Sequence, residues 1–153
     1  MSTDAEPGGK PSGTLEEVAS VRVLYVDTDQ MGVVNNVHYL RWFEVGRAEW
    51  IRARGKTYRD LEKTGLIMPV VEAHVRYRSP ARYDDLILVH AGPQAATGAT
   101  ITFGYALYVQ DEGGARRRIA EGWTRHASTD HKGRARRFPA EVLQILGFTE
   151  KES

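Results

Sequence analysis

The sequence predicts an α+β fold in which one long helix lies against an antiparallel sheet of about five strands. A segment with the two-residue alternation of a strand comes first. Residues 36–55 then carry apolar side chains at three- and four-residue steps, which is the period of a helix face. Four further strand patterns follow without helices between them, and this order favours an antiparallel sheet over the alternating strands and helices of a parallel one.

The composition is that of one ordinary globular domain. The chain has 153 residues, of which 27% are charged and 41% hydrophobic. Its formal net charge of +1 creates no general attraction for nucleic acid or for an anionic membrane. The absence of cysteine excludes disulfides, thiolate catalysis and cysteine-bound metal. No apolar run approaches the ~18 residues of a membrane span. We therefore expect a cytoplasmic protein with no membrane span and no nucleic-acid partner.

The two ends of the chain differ from its middle in composition. Residues 1–17 are rich in glycine, proline, serine, threonine and charge, and they contain no apolar segment of the kind that a signal peptide needs. Such a segment buries too little apolar area to offset the loss of chain entropy, so we expect a disordered tail. The folded domain is predicted over residues 18–148, which leaves 149–153 as a short C-terminal tail.

The first two predicted elements are a strand and the long helix. Residues 18–26, VASVRVLYV, alternate as a strand does. A helix of about five turns is expected from Asn36 to near Gly55, with Asn35 or Asn36 as its N-cap. Gly46 costs stability inside a helix, and its presence suggests a close approach to another backbone. The face expected to be buried consists of Val37, Leu40, Phe43, Arg47, Trp50 and Ile51.

The remaining elements complete the sheet and close the domain. They are a short helix within 57–65, strands within 70–78, 83–92, 99–110 and 117–128, a hairpin turn at 111–114, and a last helix within 139–147. The strand over 99–110 has a large apolar side chain at every second position. Its expected inward face consists of Ile101, Phe103, Tyr105, Leu107 and Val109. The strand over 117–128 divides into a face with Glu121 and Trp123 and a face of small side chains.

Residues 27–47, DTDQMGVVNNVHYLRWFEVGR, form the most specific motif in the chain. They resemble the signature of hotdog-fold acyl-CoA thioesterases, in particular the family that includes 4-hydroxybenzoyl-CoA thioesterase. Residues 77–89, YRSPARYDDLILV, and 128–139, STDHKGRARRFP, are similar to later segments of that family. The resemblance covers about residues 19–147. It implies a hotdog fold, in which a curved sheet wraps the central helix, and homo-oligomers: dimers with one continuous sheet, often paired into tetramers, with active sites at the dimer interface.

The resemblance also implies roles for individual residues. Asp29 takes the place of the catalytic carboxylate, and Asn36 that of the helix N-terminal residue whose backbone N–H faces the thioester oxygen. Many family members have Tyr-His where this chain has Asn35-Asn36, so the side-chain role of that histidine does not transfer, whereas the backbone role does. The substrate is expected to be an acyl-CoA or an acyl carrier protein thioester, with no cofactor and no metal. The residues expected to bind it are Gly32, Val33, Tyr39 and Arg82.

The chemistry of thioester hydrolysis explains why these residue types belong together. The N–H groups and the positive dipole end of a helix N-terminus suit the developing oxyanion. Asp29, a short loop ahead of that terminus, either attacks the carbonyl and forms an anhydride or activates a water molecule. The sequence leaves both routes open. Gly32 would let the loop turn or approach the substrate closely.

Other interpretations stay open at this point. Asp27 and Asp29 are also ordinary loop and capping residues, and Glu44 is an ordinary helix surface charge. His38 in the first helical turn would suit a hotdog hydratase or dehydratase. A module that binds acyl thioesters without turnover is a further alternative. The basic clusters at 116–118 and 132–137 are either solvated surface or contacts for the phosphates of coenzyme A; nucleic-acid binding is their weaker use.

Overall fold

Five antiparallel strands form one sheet in the computed structural model, which describes residues 14–148. The strands are β1 (Glu16–Arg22), β2 (Val70–Tyr77), β3 (Leu86–Ala96), β4 (Thr100–Gln110) and β5 (Arg116–Ala127), and their order in the sheet is β1-β3-β4-β5-β2. The helices are α1 (Val37–Arg52), α2 (Tyr58–Glu62) and α3 (Ala140–Ile145). The predicted α+β class and the number of strands are confirmed. No helix among the described residues is long and apolar enough to cross a membrane.

Strand β1 begins at Glu16, two residues inside the predicted tail. Both glutamates at its start are tied to the domain, since Glu16 pairs with Arg54 at 2.8 Å and Glu17 with Arg116 at 3.0 Å. Backbone pairing with β3 also reaches Glu16. Residues 1–13 of the predicted N-terminal tail and the whole C-terminal tail predicted over 149–153 lie outside the described residues.

The end of β1 is earlier than the sequence pattern predicts. The strand stops at Arg22, because the Asp27 carboxylate accepts a hydrogen bond of 2.9 Å from the Leu24 N–H and holds Tyr25–Asp27 in a 3-10 turn. The apolar alternation of the sequence continues through this turn, but Tyr25 and Val26 are exposed. The predicted strand end at residue 26 was therefore wrong: a local side-chain bond outweighs the alternation.

Helix α1 packs against β3, β1 and β4 with a face that differs from the predicted one. The middle and the end of the helix are buried as expected, but Val37 is 64% and Leu40 42% exposed. Their predicted burial was wrong because the sheet covers the adjacent side of the first turns, where Tyr39 and Trp42 are buried. Gly46 does lie close to β3, since a Cβ there would lie 2.8 Å from Val89 Cγ1, but the neighbouring atoms belong to side chains and not to the backbone that was expected.

The centre of the sheet supplies the core. The predicted inward face of β4 is confirmed, because Ile101, Phe103, Tyr105 and Leu107 are fully buried and Val109 nearly so. The small side chains of β5 leave room for Phe43 of α1, which lies beside Gly122. Glu121 lies on the other face of the sheet, where Arg78 pairs with it at 2.6 Å. The apolar core thus lies between α1 and the middle strands.

Candidate active site

Asp29 opens a tight turn directly after the 3-10 turn of Asp27. The Asp29 N–H donates to the Val33 carbonyl at 2.8 Å, and the Gly32 N–H donates to the Asp29 carbonyl at 3.0 Å. Gly32 has φ +83°, a left-handed conformation that other residues adopt only with strain. The turning role predicted for Gly32 is therefore what the structure shows.

The two oxygens of the Asp29 carboxylate have different environments. Oδ1 accepts hydrogen bonds from the backbone N–H groups of Met31, at 2.8 Å, and Val33, at 3.4 Å. Oδ2 has no hydrogen-bond partner within the part of the chain that the structure describes, and the residue is exposed. The turn therefore orients the carboxylate through one oxygen and leaves the other available.

The same turn occurs at a second aspartate, so its geometry alone does not identify a site. At Asp130 the carboxylate Oδ1 accepts from the N–H groups of Lys132, at 2.8 Å, and Arg134, at 3.0 Å. Gly133 has φ +83° and donates to the Asp130 carbonyl at 3.0 Å. The difference lies in the surroundings: the Asp29 turn leads into the N-terminus of α1.

The start of α1 presents a free backbone donor. The Asn35 N–H donates to the Asp27 carbonyl at 3.0 Å, which ties the end of the loop to its beginning. The Asn35 side chain caps the helix, because its Oδ1 accepts from the Val37 N–H at 3.1 Å. The Asn36 side chain makes no capping bond, and the Asn36 N–H has no acceptor among residues 14–148. This N–H is thus free for a ligand at the positive end of the helix dipole.

Asp27 differs from Asp29 in being a buried structural group. It is 3% exposed, and besides the bond from Leu24 it accepts one of 3.1 Å from Arg41 Nη2. His38 Nδ1 lies 3.7 Å from Asp27 Oδ1 and 3.4 Å from Arg41 Nε. His38, on which the hydratase interpretation depends, therefore lies beside the ion pair of Asp27 and Arg41.

Two of the residues predicted to bind substrate meet beside the turn. Val33 and Arg82 form an isolated antiparallel bridge, and the Arg82 N–H is held by Asp85 Oδ2 at 2.8 Å. The Arg82 guanidinium makes no hydrogen bond with any described residue, and the side chain is exposed. A free cation of this kind suits a phosphate group.

Tyr39, also predicted to bind substrate, supports the helix start from the core side. It is 3% exposed and packs edge-to-face against Tyr77 with ring centroids 4.9 Å apart. Burial raises the pKa of the Tyr39 phenol. The Tyr77 hydroxyl donates to the Asn36 carbonyl at 3.2 Å, so these rings connect β2 with the N-terminus of α1. A contact between Tyr39 and the acyl group stays a prediction.

The first of the two basic clusters is bound to other parts of the protein. Its partners are Glu17 for Arg116 at 3.0 Å, Ser79 Oγ for Arg117 at 2.7 Å, and Glu121 Oε1 for Arg118 at 3.0 Å. These pairings support the surface interpretation of residues 116–118. In the second cluster, Arg136 donates to the Thr64 carbonyl at 3.2 Å, while Arg134 and Arg137 make no side-chain hydrogen bond to the described residues.

Sequence reasoning missed a chain of buried polar groups beneath α1. Its links are Arg47 Nε to Tyr58 Oη at 2.5 Å, Arg47 Nη1 to Tyr105 Oη at 3.0 Å, Tyr105 Oη to Thr124 Oγ1 at 2.6 Å, and Thr124 Oγ1 to His126 Nε2 at 2.8 Å. Because Arg47 can only donate, the hydroxyl protons point toward His126, whose Nδ1–H then donates to the Met68 carbonyl at 3.3 Å. The signal available was an arginine on a helix face otherwise made of apolar residues.

The neutral histidine at the end of this chain makes stability depend on pH. Burial lowers the pKa of His126 from 6.5 to about 4. Between these values the unfolded chain binds a proton that the folded one does not, so stability falls as the pH falls through this window. We expect wild type to lose about 2 kcal/mol more than His126→Gln between pH 7.5 and pH 5.0.

Urea unfolding at the two pH values measures this difference. His131→Gln is the matched control, since His131 is exposed, and its pH dependence should equal that of wild type. Equal pH dependence in wild type and His126→Gln would contradict a buried neutral His126.

Comparison with known proteins places the chain in a family. The Thioesterase-like superfamily matches residues 23–146. The acyl-CoA thioesterase YbgC of Haemophilus influenzae is 39% identical over 84 residues, which are 54% of this chain and 62% of that relative, just under two thirds of its length. The crystal structure of TT1821 from Thermus thermophilus is 32% identical and superposes with a TM-score of 0.76 over 86% of this chain and 97% of its own.

The fold is also that of the enzyme whose family the motif resembles. The structure of 4-hydroxybenzoyl-CoA thioesterase from Pseudomonas sp. strain CBS-3 superposes with a TM-score of 0.74, covering 83% of this chain and 96% of that one. Its identity of 17% supports the fold alone. The chain therefore belongs to the Thioesterase-like superfamily, and the hotdog fold implied by its sequence motif is confirmed.

Proposed function

We propose that this protein hydrolyses the thioester of an acyl-CoA to a free acid and coenzyme A, with Asp29 as the attacking or activating carboxylate and the Asn36 N–H as the donor to the carbonyl oxygen. The observation that carries the proposal is that one short segment presents both a hydrogen-bond acceptor, at Asp29, and a hydrogen-bond donor, at Asn36, that are available to a substrate. Within residues 14–148, one oxygen of the Asp29 carboxylate has no partner, and neither has the N–H of Asn36, seven residues later at a helix N-terminus.

The reaction assigns a task to each group. In one route Asp29 Oδ2 attacks the carbonyl carbon, the C–S bond breaks to release the coenzyme A thiolate, and water hydrolyses the resulting anhydride. In the other route the carboxylate removes a proton from the water that attacks. Both routes place negative charge on the thioester oxygen, and both need the Asn36 N–H to stabilise it. The Arg82 guanidinium beside the turn is available for a phosphate of coenzyme A.

The exposed surroundings of Asp29 suit a site that is completed by a second copy of the chain. Strand β2 is at the edge of the sheet and has one neighbour, β5. Three of its side chains, Val70, Val71 and Tyr77, are about half exposed, and Met31 in the Asp29 turn is 82% exposed. A homodimer joined along β2 would continue the sheet and cover these side chains. A tetramer would be formed from two such dimers.

Replacement of Asn36 by proline tests the donor without removing a protein contact. Asn36 has φ −60°, which proline prefers, and its N–H makes no hydrogen bond to a described residue that the substitution would remove. We expect Asn36→Pro to lower kcat about 100-fold, since the oxyanion loses a preorganised donor. Thiol release from a panel of short, long and aromatic acyl-CoAs gives the rate.

Asn36→Ala is the matched control, because it keeps the backbone N–H and changes the side chain alone. It should retain the wild-type kcat within a few-fold, and both variants should unfold at the wild-type urea concentration. Equal loss in the two variants would assign the effect to the side chain and contradict the proposed donor. Absence of turnover by wild type on every acyl-CoA would contradict the proposed reaction with coenzyme A.

A further inference from the structure

Arg47 is a buried cation that has no carboxylate partner. It is 8% exposed, and no carboxylate oxygen of the described residues lies within 4.0 Å of its guanidinium. Nε and Nη1 donate to the hydroxyls of Tyr58 and Tyr105, whereas Nη2 makes no hydrogen bond in the described part of the chain. Burial of a charge without a counter-ion is unfavourable, so a carboxylate brought to this arginine would be bound favourably.

The two tyrosines leave the charge of Arg47 uncompensated. Burial raises the pKa of the Tyr58 phenol and that of the Tyr105 phenol, so both hydroxyls remain neutral. His126 at the end of the polar chain is neutral as well. Among the described residues the positive charge therefore has no counter-ion, and the unbonded Nη2 remains for an acceptor.

Arg47 lines a cavity of about 410 Å³. It lies between α1 and the edge strand β2, and small side chains on the strands leave it open. Its lining consists of Leu40, Arg41, Glu44, Arg47, Val70, Ala73 and Thr124. Leu40 and Val70 are 42% and 51% exposed, and Arg41 and Glu44 are exposed as well, whereas Arg47 is almost completely buried. The cavity therefore has a rim of mixed apolar and charged side chains and a buried cation in its lining.

The cavity begins near the proposed site of thioester cleavage. Val37, Leu40, Glu44 and Arg47 follow one another at three- and four-residue steps along a single stripe of α1. From Asn36 to Arg47 the helix rises roughly 16 Å. Strand β2 runs beside this stripe, with Tyr77 bonded to Asn36 at one end and Ala73 lining the cavity further along. An acyl group whose carbonyl is bound at Asn36 can therefore extend along α1 toward Arg47.

We propose that Arg47 binds a carboxylate at the far end of the acyl chain, so that the preferred substrates are CoA thioesters of dicarboxylic acids. The inference rests on the proposed function, because it assumes that the thioester carbonyl is bound at Asn36. Arginine suits this task, since its guanidinium donates to a carboxylate with fixed geometry. Two other charges line the cavity: Arg41, whose guanidinium is paired with Asp27, and Glu44, whose carboxylate opposes a bound anion.

Matched CoA thioesters test the preference. Octanoyl-CoA and the CoA monothioester of suberic acid have the same chain length and differ in one terminal carboxylate; dodecanoyl-CoA and its dicarboxylic counterpart form a longer pair. We expect wild type to favour the carboxylated member of at least one pair by 10- to 100-fold in kcat/KM, the range of a charged hydrogen bond. Arg47→Met should lose this preference and keep activity on the methyl-ended member. Glu44→Gln should increase the preference.

Binding measurements test the role of Arg47 independently of whether the protein hydrolyses the thioester. Calorimetry of the same thioesters with Asp29→Asn gives their Kd values without turnover, and the Kd ratio should show the same 10- to 100-fold preference. Equal Kd and equal kcat/KM within each pair would overturn the role of Arg47 even if hydrolysis is fast. Selective binding without hydrolysis by wild type would support Arg47 and contradict the reaction. If Arg47→Met does not fold, the wild-type ratios still decide, and Arg47→Lys, which keeps the charge, should show a reduced preference.

Discussion

Asp29→Asn is expected to lower kcat roughly 1000-fold, because an amide neither attacks a thioester carbonyl nor removes a proton from water. The substitution is nearly isosteric, and the amide oxygen can still accept the bonds from Met31 and Val33 that hold the turn. KM should change little, since the lost interaction belongs to the reaction rather than to substrate binding. Thiol release followed with a disulfide reagent measures the rate, and a chain without cysteine adds no background.

The chain contains its own control for this experiment. Asp130 forms the same turn with the same two acceptor contacts, so Asp130→Asn makes an equal local change away from α1. Asp111→Asn is a second control, because Asp111 Oδ1 likewise accepts a backbone hydrogen bond, from the Ala115 N–H at 2.9 Å. Both variants should keep the wild-type kcat. A decrease of less than tenfold in Asp29→Asn, or an equal decrease in Asp130→Asn, would remove Asp29 from the mechanism.

Gly122→Ala is expected to destabilise the fold by about 3 kcal/mol or more. A Cβ at Gly122 would lie 2.0 Å from the His74 carbonyl oxygen and 2.9 Å from Phe43 Cε2. The first contact is with the backbone of β2, so a side chain cannot simply move away. Strand β2 would have to separate from β5, which would distort the wall of the Arg47 cavity as well. The urea midpoint of unfolding measures the loss.

Gly113→Ala is the matched control for this prediction. Gly113 lies in the turn between β4 and β5, and a Cβ there would meet only Asp111 Oδ1, at 3.7 Å. The free energy of unfolding of Gly113→Ala should stay within about 0.5 kcal/mol of the wild-type value. If Gly122→Ala is as stable as this control, β2 and β5 are not packed as closely as the structure indicates.

Periodicity predicted the elements well where local and tertiary forces agree. The alternation in β4 and the helical steps in α1 are consequences of which side chains the core accepts, and both elements lie where expected. The predictions that were wrong lie where another force acts. The bond from Leu24 to Asp27 ends β1 early, and on α1 Val37 is exposed while Leu40 lines a cavity.

The sequence by itself determined the α+β class, the five strands, the glycine turn after Asp29 and the family, because these depend on local backbone preferences and on a contiguous motif. Only the tertiary structure decided which of two nearby aspartates is buried and which has a free oxygen, since that depends on Arg41 and on the backbone of the turn. It also brought Arg47 against Tyr58 and Tyr105, 11 and 58 residues away along the chain. Periodicity marks Arg47 as inward-facing, but its electrostatic environment is created by groups that are distant in sequence.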